Sequence, residues 1–213
     1  MYRYRFPPES RHTRDALWKE LTRRVFQKYV STSDTVMDIG AGYCEFINVI
    51  RCRTKIAVDT NPDTKSFAAK NVRVLSMNAL SVPRRYDQTI DVVFMSNFLE
   101  HLPDKPAVVM VLSRAYRLLK NGGTLIILQP DIDLTGSAYW DFIDHSVALN
   151  GKSVIEALYV SGFTVGTYVR RFLPYTTKGK LPAWPGLIPV YFAIPPALRP
   201  FAGQSLFVAR KNA

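Results

Sequence analysis

Through the first two thirds of the chain, apolar residues gather in short runs divided by polar or glycine-containing turns. Val36 to Ile39, Lys55 to Asp59, Val72 to Met77, Ile90 to Ser96 and Thr124 to Gln129 are such runs. Runs this short, without polar alternation, are the mark of strands covered by helices on both faces, because neither face meets water. A different period separates them. Leu17, Leu21, Val25 and Tyr29 recur every four residues among basic ones, so residues 13 to 30 predict an amphipathic helix packed beside the sheet. Glu45 to Arg51 predicts a first crossover helix. Asp104 and Pro106 supply a cap and a first-turn proline, and Asn121-Gly122-Gly123 ends that helix after Lys120. Ser153 and Glu156 have capping-box spacing and predict a helix that stops at Gly162. Phe163 to Phe172 and Ser205 to Ala209 complete the strands.

Between the last two strands lies an insert, Leu173 to Gly203, with seven of the 14 prolines. No charge occurs from Leu181 to Leu198, while Lys180 and Arg199 flank the run. Its length approaches a membrane span, but Pro182, Pro185, Pro189, Pro195 and Pro196 would break one continuous helix. Besides plain packing, two uses fit: a lid whose Trp184, Tyr191 and Phe192 face a substrate, or a segment that dips into a membrane surface.

With 213 residues, 47% of them hydrophobic, the chain predicts a single domain over residues 1–213. Its two cysteines, Cys44 and Cys52, fall about two turns apart on the expected helix, too far for a disulfide. Reduced thiols and an N-terminus without an apolar export core point to the cytoplasm, including the inner membrane surface as a peripheral location. The net charge of +11 favours acidic partners: nucleic acid, anionic lipid or a phosphorylated substrate.

The chemistry concentrates first at Val36 to Glu45, Val-Met-Asp-Ile-Gly-Ala-Gly-Tyr-Cys-Glu, followed by Asp59. A strand that ends in a glycine turn lets backbone approach a ligand, and a carboxylate about 20 residues on suits ribose hydroxyls. A dinucleotide fingerprint needs a third glycine where Glu45 stands, and that carboxylate would repel a pyrophosphate. No Gly-Lys-Ser/Thr follows the glycines either. S-adenosylmethionine carries no phosphate, and its zwitterionic end suits Asp38.

Asp38, Gly40 and Gly42 together resemble the first motif of the class I S-adenosylmethionine-dependent methyltransferases, with Cys44 where a third glycine is usual. The resemblance runs from about residue 30 to the C-terminus. It implies an α/β fold: a Rossmann-like doubly wound sheet of about seven strands, the last pair antiparallel, with the N-terminal helix and the Pro-rich insert as additions. It also implies S-adenosylmethionine held by Asp38, Gly40, Ala41, Gly42, Asp59, Thr60, Asn78, Ala79, Asn97 and Phe98. Asn78 stands where the superfamily places an adenine-binding polar residue.

Catalytic groups should follow the fourth and fifth strands, where ligands of parallel sheets bind. Pro130 to His145 is rich in carboxylates and aromatics. Transfer to an alcohol needs a base, so His145 is the first candidate, with Asp144 or Asp141 orienting it or binding acceptor hydroxyls. His101, in Asn97-Phe-Leu-Glu-His101-Leu, is the second; in the superfamily that run more often shapes the cofactor pocket. Asp131, Asp133, Asp144 and His145 could together bind an Mg2+-like ion through oxygen-rich ligation. The plainer alternatives are a hydrogen-bonded structural histidine and solvated carboxylates.

Asn97-Phe98-Leu99-Glu100 lacks the proline pair by which the superfamily holds exocyclic base amines. The chain more closely resembles small methyltransferases of bacterial polysaccharide and glycolipid synthesis. That resemblance implies O-methylation of a sugar hydroxyl on a saccharide, carried by lipid or phosphate. RNA or other nucleic-acid methylation is the alternative that the charge favours. A catalytically silent cofactor-binding or membrane-associated partner protein is a third.

Overall fold

Alternate residues of each central strand turn to opposite faces, and both faces are apolar because each carries its own helical layer. In the computed structural model, which describes residues 11–175 and 186–212, strand β1 spans Thr35–Ile39, β2 Thr54–Asp59, β3 Val72–Ser76 and β4 Ile90–Ser96. Strand β5 covers Leu119–Pro130, β6 Phe163–Pro174 and β7 Ala202–Lys211. Helix α1 is Arg11–Arg24, α2 Glu45–Val49, α3 Thr64–Phe67, α4 Lys105–Leu118, α5 Ile132–Thr135, α6 Gly151–Val160 and α7 Leu187–Ala193. Met37, Val93, Met95 and Ile127 face Val108, Val111 and Leu112 of α4 and Val154 and Leu158 of α6. Val36, Val92, Phe94 and Ile126 face Leu21, Phe26, Phe46 and Ile47 on the other side. The strand period of two therefore explains why the runs show no polar alternation.

The strands form one sheet in the order β3-β2-β1-β4-β5-β7-β6. β1 pairs in parallel with both β2 and β4, so the chain reverses its direction of winding between β1 and β4. Such a reversal opens a crevice at the carboxyl ends of those strands. β7 inserts antiparallel between β5 and β6. The seven strands and the antiparallel ending agree with the sequence-based expectation.

Several boundaries differ. The N-terminal helix stops at Arg24 and gives way to a 3-10 turn, Phe26–Tyr29, in place of one helix through residue 30. That turn puts Phe26 into the core against Phe46 and Phe94, with centroids 5.8 and 5.1 Å away. α2 ends at Val49, short of Arg51. Helix α6 begins before Ser153: Asn150 is its cap, and its Oδ1 accepts the Ser153 N–H at 3.0 Å. Asn150 and Ser153 are both cap-forming residues; starting at Asn150 adds a turn that buries Gly151 and Val154. Ser153 thus sits in the first turn and no capping box forms with Glu156. Asp104 caps α4 as expected, accepting from Ala107 N–H at 2.8 Å.

Within the insert, α7 and a 3-10 turn at Pro196–Leu198 precede β7. Arg199 fastens them: its buried guanidinium donates to the carbonyls of Ile194, Arg171 and Phe172 and lies over the Phe192 ring. Phe192 also packs on Phe172, and Tyr191 donates to Pro200 O at 3.3 Å, while Trp184, Pro182, Pro185 and Lys180 lie outside the described residues. Among the described residues, no helix is long and apolar enough to cross a membrane. Cys44 and Cys52 are both free thiols.

Candidate active site

Where β1 ends, Gly40 takes φ +75° and Gly42 φ +48°, the left-handed region that glycine enters without a Cβ clash. Gly40 lacks a side chain for a second reason: a Cβ there would come within 2.5 Å of Phe98 Cδ2. The turn is tied to β2 by the N–H groups of Gly40 and Ala41, both donating to Val58 O. Cys44, in the place of a third glycine, also adopts a left-handed conformation, at φ +61°, just before α2. Its Sγ lies 3.8 Å from Thr64 O, and burial, followed by the nearby carboxylates of Asp38, Asp59 and Glu45, pushes the thiol up to about 12.

Asp59 closes β2 and accepts from Gly42 N–H at 2.7 Å through Oδ2 and from Asn61 N–H at 2.8 Å through Oδ1. These bonds fix the carboxylate at the turn, and each oxygen retains a lone pair for a ligand hydroxyl. Asp38 is 3% exposed. Burial first, then Asp59 and Glu45, hold its carboxyl well above the ordinary carboxylate range. Arg14 of α1 leans over this corner, pairing with Glu45 at 2.8 Å and lying over the Tyr43 ring.

Thr60, Asn78 and Asn97 are exposed, one after each of β2, β3 and β4, while Ala79 is buried and Phe98 half-buried. Asn97 sits at φ +47°. The oxygen of Asn78 expected to meet adenine accepts the Leu80 N–H at 2.8 Å, which engages one lone pair locally. Asp38, the glycine turn, Asp59, Asn78 and Asn97 thus all stand at the carboxyl ends of β1 to β4, around the sheet's switch point. A buried carboxylate with two more beside it calls for a cation, and the Asp59 oxygens are free to accept from ribose hydroxyls. These residues fit S-adenosylmethionine, and they do not fit a pyrophosphate.

A second group of polar residues lies under the loop that follows β5. Glu100 is 1% exposed, and the Gln129 amide lies beside its carboxylate. Burial raises its carboxyl above the usual range, with His101 and the Gln129 amide acting the other way. The loop is pulled over this residue by Ser146 and Val147, whose N–H groups donate to Glu100 O at 2.8 and 3.2 Å. Tyr139, fully buried, donates to Val147 O at 2.6 Å and braces the same turn. His101 Nδ1 is 3.0 Å from Asp144 O and 3.4 Å from its Oδ2. A carbonyl oxygen only accepts, so Nδ1 carries the proton and Nε2, 3.9 Å from Glu100 Oε1, keeps the lone pair. The His145 ring lies 5.0 Å from that of His101 and stacks on Phe142 at 5.1 Å.

The structure therefore brings together His145, His101 and Asp144 and adds Glu100, which sequence reasoning passed over. Its signal was a carboxylate four residues past the end of an apolar strand and beside a histidine. Asp141 lies on the exposed rim next to Trp140. The oxygen-rich metal set does not assemble. Asp131 is buried as the cap of α5, accepting from Asp133 N–H and from Ser205 Oγ at 3.1 Å. Asp133 accepts from Asn150 Nδ2 at 3.1 Å. Both are turned toward structural partners, away from the histidines.

The fold is a doubly wound domain whose winding reverses between β1 and β4, the place where such sheets bind ligands. The chain belongs to the methyltransferase domain family, whose profile matches residues 10–167. It is a methyltransferase, and its cofactor is S-adenosylmethionine. Similar solved structures share the fold at low identity. An S-adenosylmethionine-dependent methyltransferase from Archaeoglobus fulgidus is 21% identical with a TM-score of 0.70, over 99% of this chain and 100% of that one. A counterpart from Thermotoga maritima is 18% identical with a TM-score of 0.68, over 96% and 94%. One from Methanosarcina mazei is 15% identical with a TM-score of 0.65, over 89% and 97%. None of the curated proteins matches the sequence.

Proposed function

We propose that this methyltransferase acts on a hydroxyl oxygen of a saccharide, and that the hydroxyl loses its proton at the corner formed by Glu100, His101 and His145. The observation that carries this reading is the His101 tautomer: with Nδ1 held by Asp144, the Nε2 lone pair is presented where two more polar side chains converge. S-adenosylmethionine supplies an activated methyl whose leaving group needs no help. The chain's own work is to place the acceptor and to handle its proton. Trp140, 50% exposed, and the adjoining Asp141 offer an indole face for the apolar side of a sugar ring and a carboxylate for its hydroxyls. Val190, Leu198 and Phe201 project from the insert into solvent, which favours an acceptor carried on a lipid and a peripheral contact with its membrane.

The test is turnover with labelled S-adenosylmethionine on a pool of oligosaccharides and lipid-linked saccharides. Methylated sugar is expected, and Trp140→Ala should raise the acceptor KM by roughly 5- to 10-fold while leaving cofactor affinity unchanged. The net charge of +11 favours nucleic acid as a second reading. Salt-sensitive RNA binding with methyl incorporation into RNA, and none into sugars, would replace the first reading with the second.

A further inference from the structure

The corner beneath the loop after β5 has a composition that a proton-accepting histidine alone does not require. Glu100, His101 and His145 each direct a donor atom to one point, all of these atoms lying within 4.8 Å of one another. Glu100 and His145 are buried and His101 is half-buried. A carboxylate that is 1% exposed, with only the Gln129 amide beside it, is costly to ionise, and a cation at that point would compensate the charge. His101 is already oriented as a ligand: Nδ1 is fastened to Asp144 O at 3.0 Å, which leaves Nε2 facing the carboxylate. Metal-binding histidines are characteristically held this way through their other nitrogen.

We infer that Glu100, His101 and His145 form a binding site for a divalent transition-metal ion. Two imidazoles and one carboxylate suit a borderline ion such as Zn2+, Co2+ or Fe2+, whereas Mg2+ takes an all-oxygen shell. Three protein ligands leave one tetrahedral position for a water or a substrate oxygen. Resting on the proposed acceptor chemistry, the ion would take over the part of the His101 lone pair: it would polarise a hydroxyl seated there, and the released proton would pass to solvent. Metal binding itself does not depend on which acceptor is used.

The experiment uses tag-free, full-length protein stripped with a chelator and titrated with Co2+ and Zn2+. One ion per chain is expected, with a visible d–d band for Co2+ and a rise in melting temperature for both ions. His101→Ala, His145→Ala and Glu100→Gln should each weaken uptake by at least about 10-fold and remove or shift the band. Asp133→Asn, outside the cluster, should leave uptake unchanged. Glu100→Gln keeps the shape of the side chain, and circular dichroism on each variant separates a lost ligand from a lost fold. If Glu100→Gln does not fold, the two histidine variants decide the matter. Folded wild-type protein that takes up neither ion, or uptake that persists unchanged in the ligand variants, overturns the inference. Saturable metal with no methylated sugar would overturn the saccharide reading and leave the site standing. Methylated sugar from a protein that takes up neither ion would do the reverse.

Discussion

Asp38 shows how a single residue can oppose the fold and serve the ligand. Its carboxyl titrates above the unfolded value of about 3.9, so as the pH falls the folded chain takes up that proton before the unfolded chain does. Ionised Asp38 therefore lowers stability progressively as the pH rises from the unfolded value through the raised one, and the penalty is complete above it. Asp38→Asn removes the charge. Without cofactor, the variant should melt above wild type at neutral pH, and the two should converge toward about pH 4. With S-adenosylmethionine added, wild type should gain melting temperature and the variant should gain much less. A pH series of melting curves with and without cofactor reads both effects. The glycine turn and Asp59 were legible in the sequence because close backbone approach restricts residue type. The engagement of Asn78 by Leu80 was not, since an asparagine oxygen can serve a neighbour or a ligand equally well.

At the scale of elements, strands and their order of succession were legible, and helix boundaries less so. A strand of this sheet is apolar at nearly every position, a pattern that few other arrangements produce. A helix start depends on which of several cap-forming residues gains the most from burial of the next turn. Asn150 prevails over Ser153 on that ground. Asn150→Ala should cost about 0.5–2 kcal/mol, and Ser153→Ala less, because only the first removes the acceptor of the orphan N–H. Urea unfolding of the two variants makes the comparison. The same competition operates at α1, where Phe26 leaves the helix path for the core and the chain tightens into a 3-10 turn. The proline-rich insert resolves into a short helix fastened by Arg199, an arrangement made by long-range carbonyls and invisible to local pattern.

For the molecule as a whole, Phe26 joins parts that are far apart in sequence. Its fully buried ring meets Phe46 of α2, Phe94 of β4 and Phe172 of β6. Phe26→Ala should cost about 3–5 kcal/mol, seen as a lower denaturation midpoint with the slope unchanged, because a core cavity opens without altering what unfolding exposes. Arg14, on the helix preceding that turn, reaches Glu45 beside the cofactor crevice, so docking of the N-terminal segment also shapes the site. What the sequence by itself determined is the layered sheet and the class of cofactor, because strand period, glycine conformation and a carboxylate at fixed distance are local requirements. Only the tertiary structure decided the second site. Glu100 and His101 lie more than 40 residues from His145, and the fold of the loop after β5 brings them within reach while turning Asp131 and Asp133 toward structural partners. Which polar residues converge is a property of the packed chain, since each could equally have served a cap, a turn or solvent.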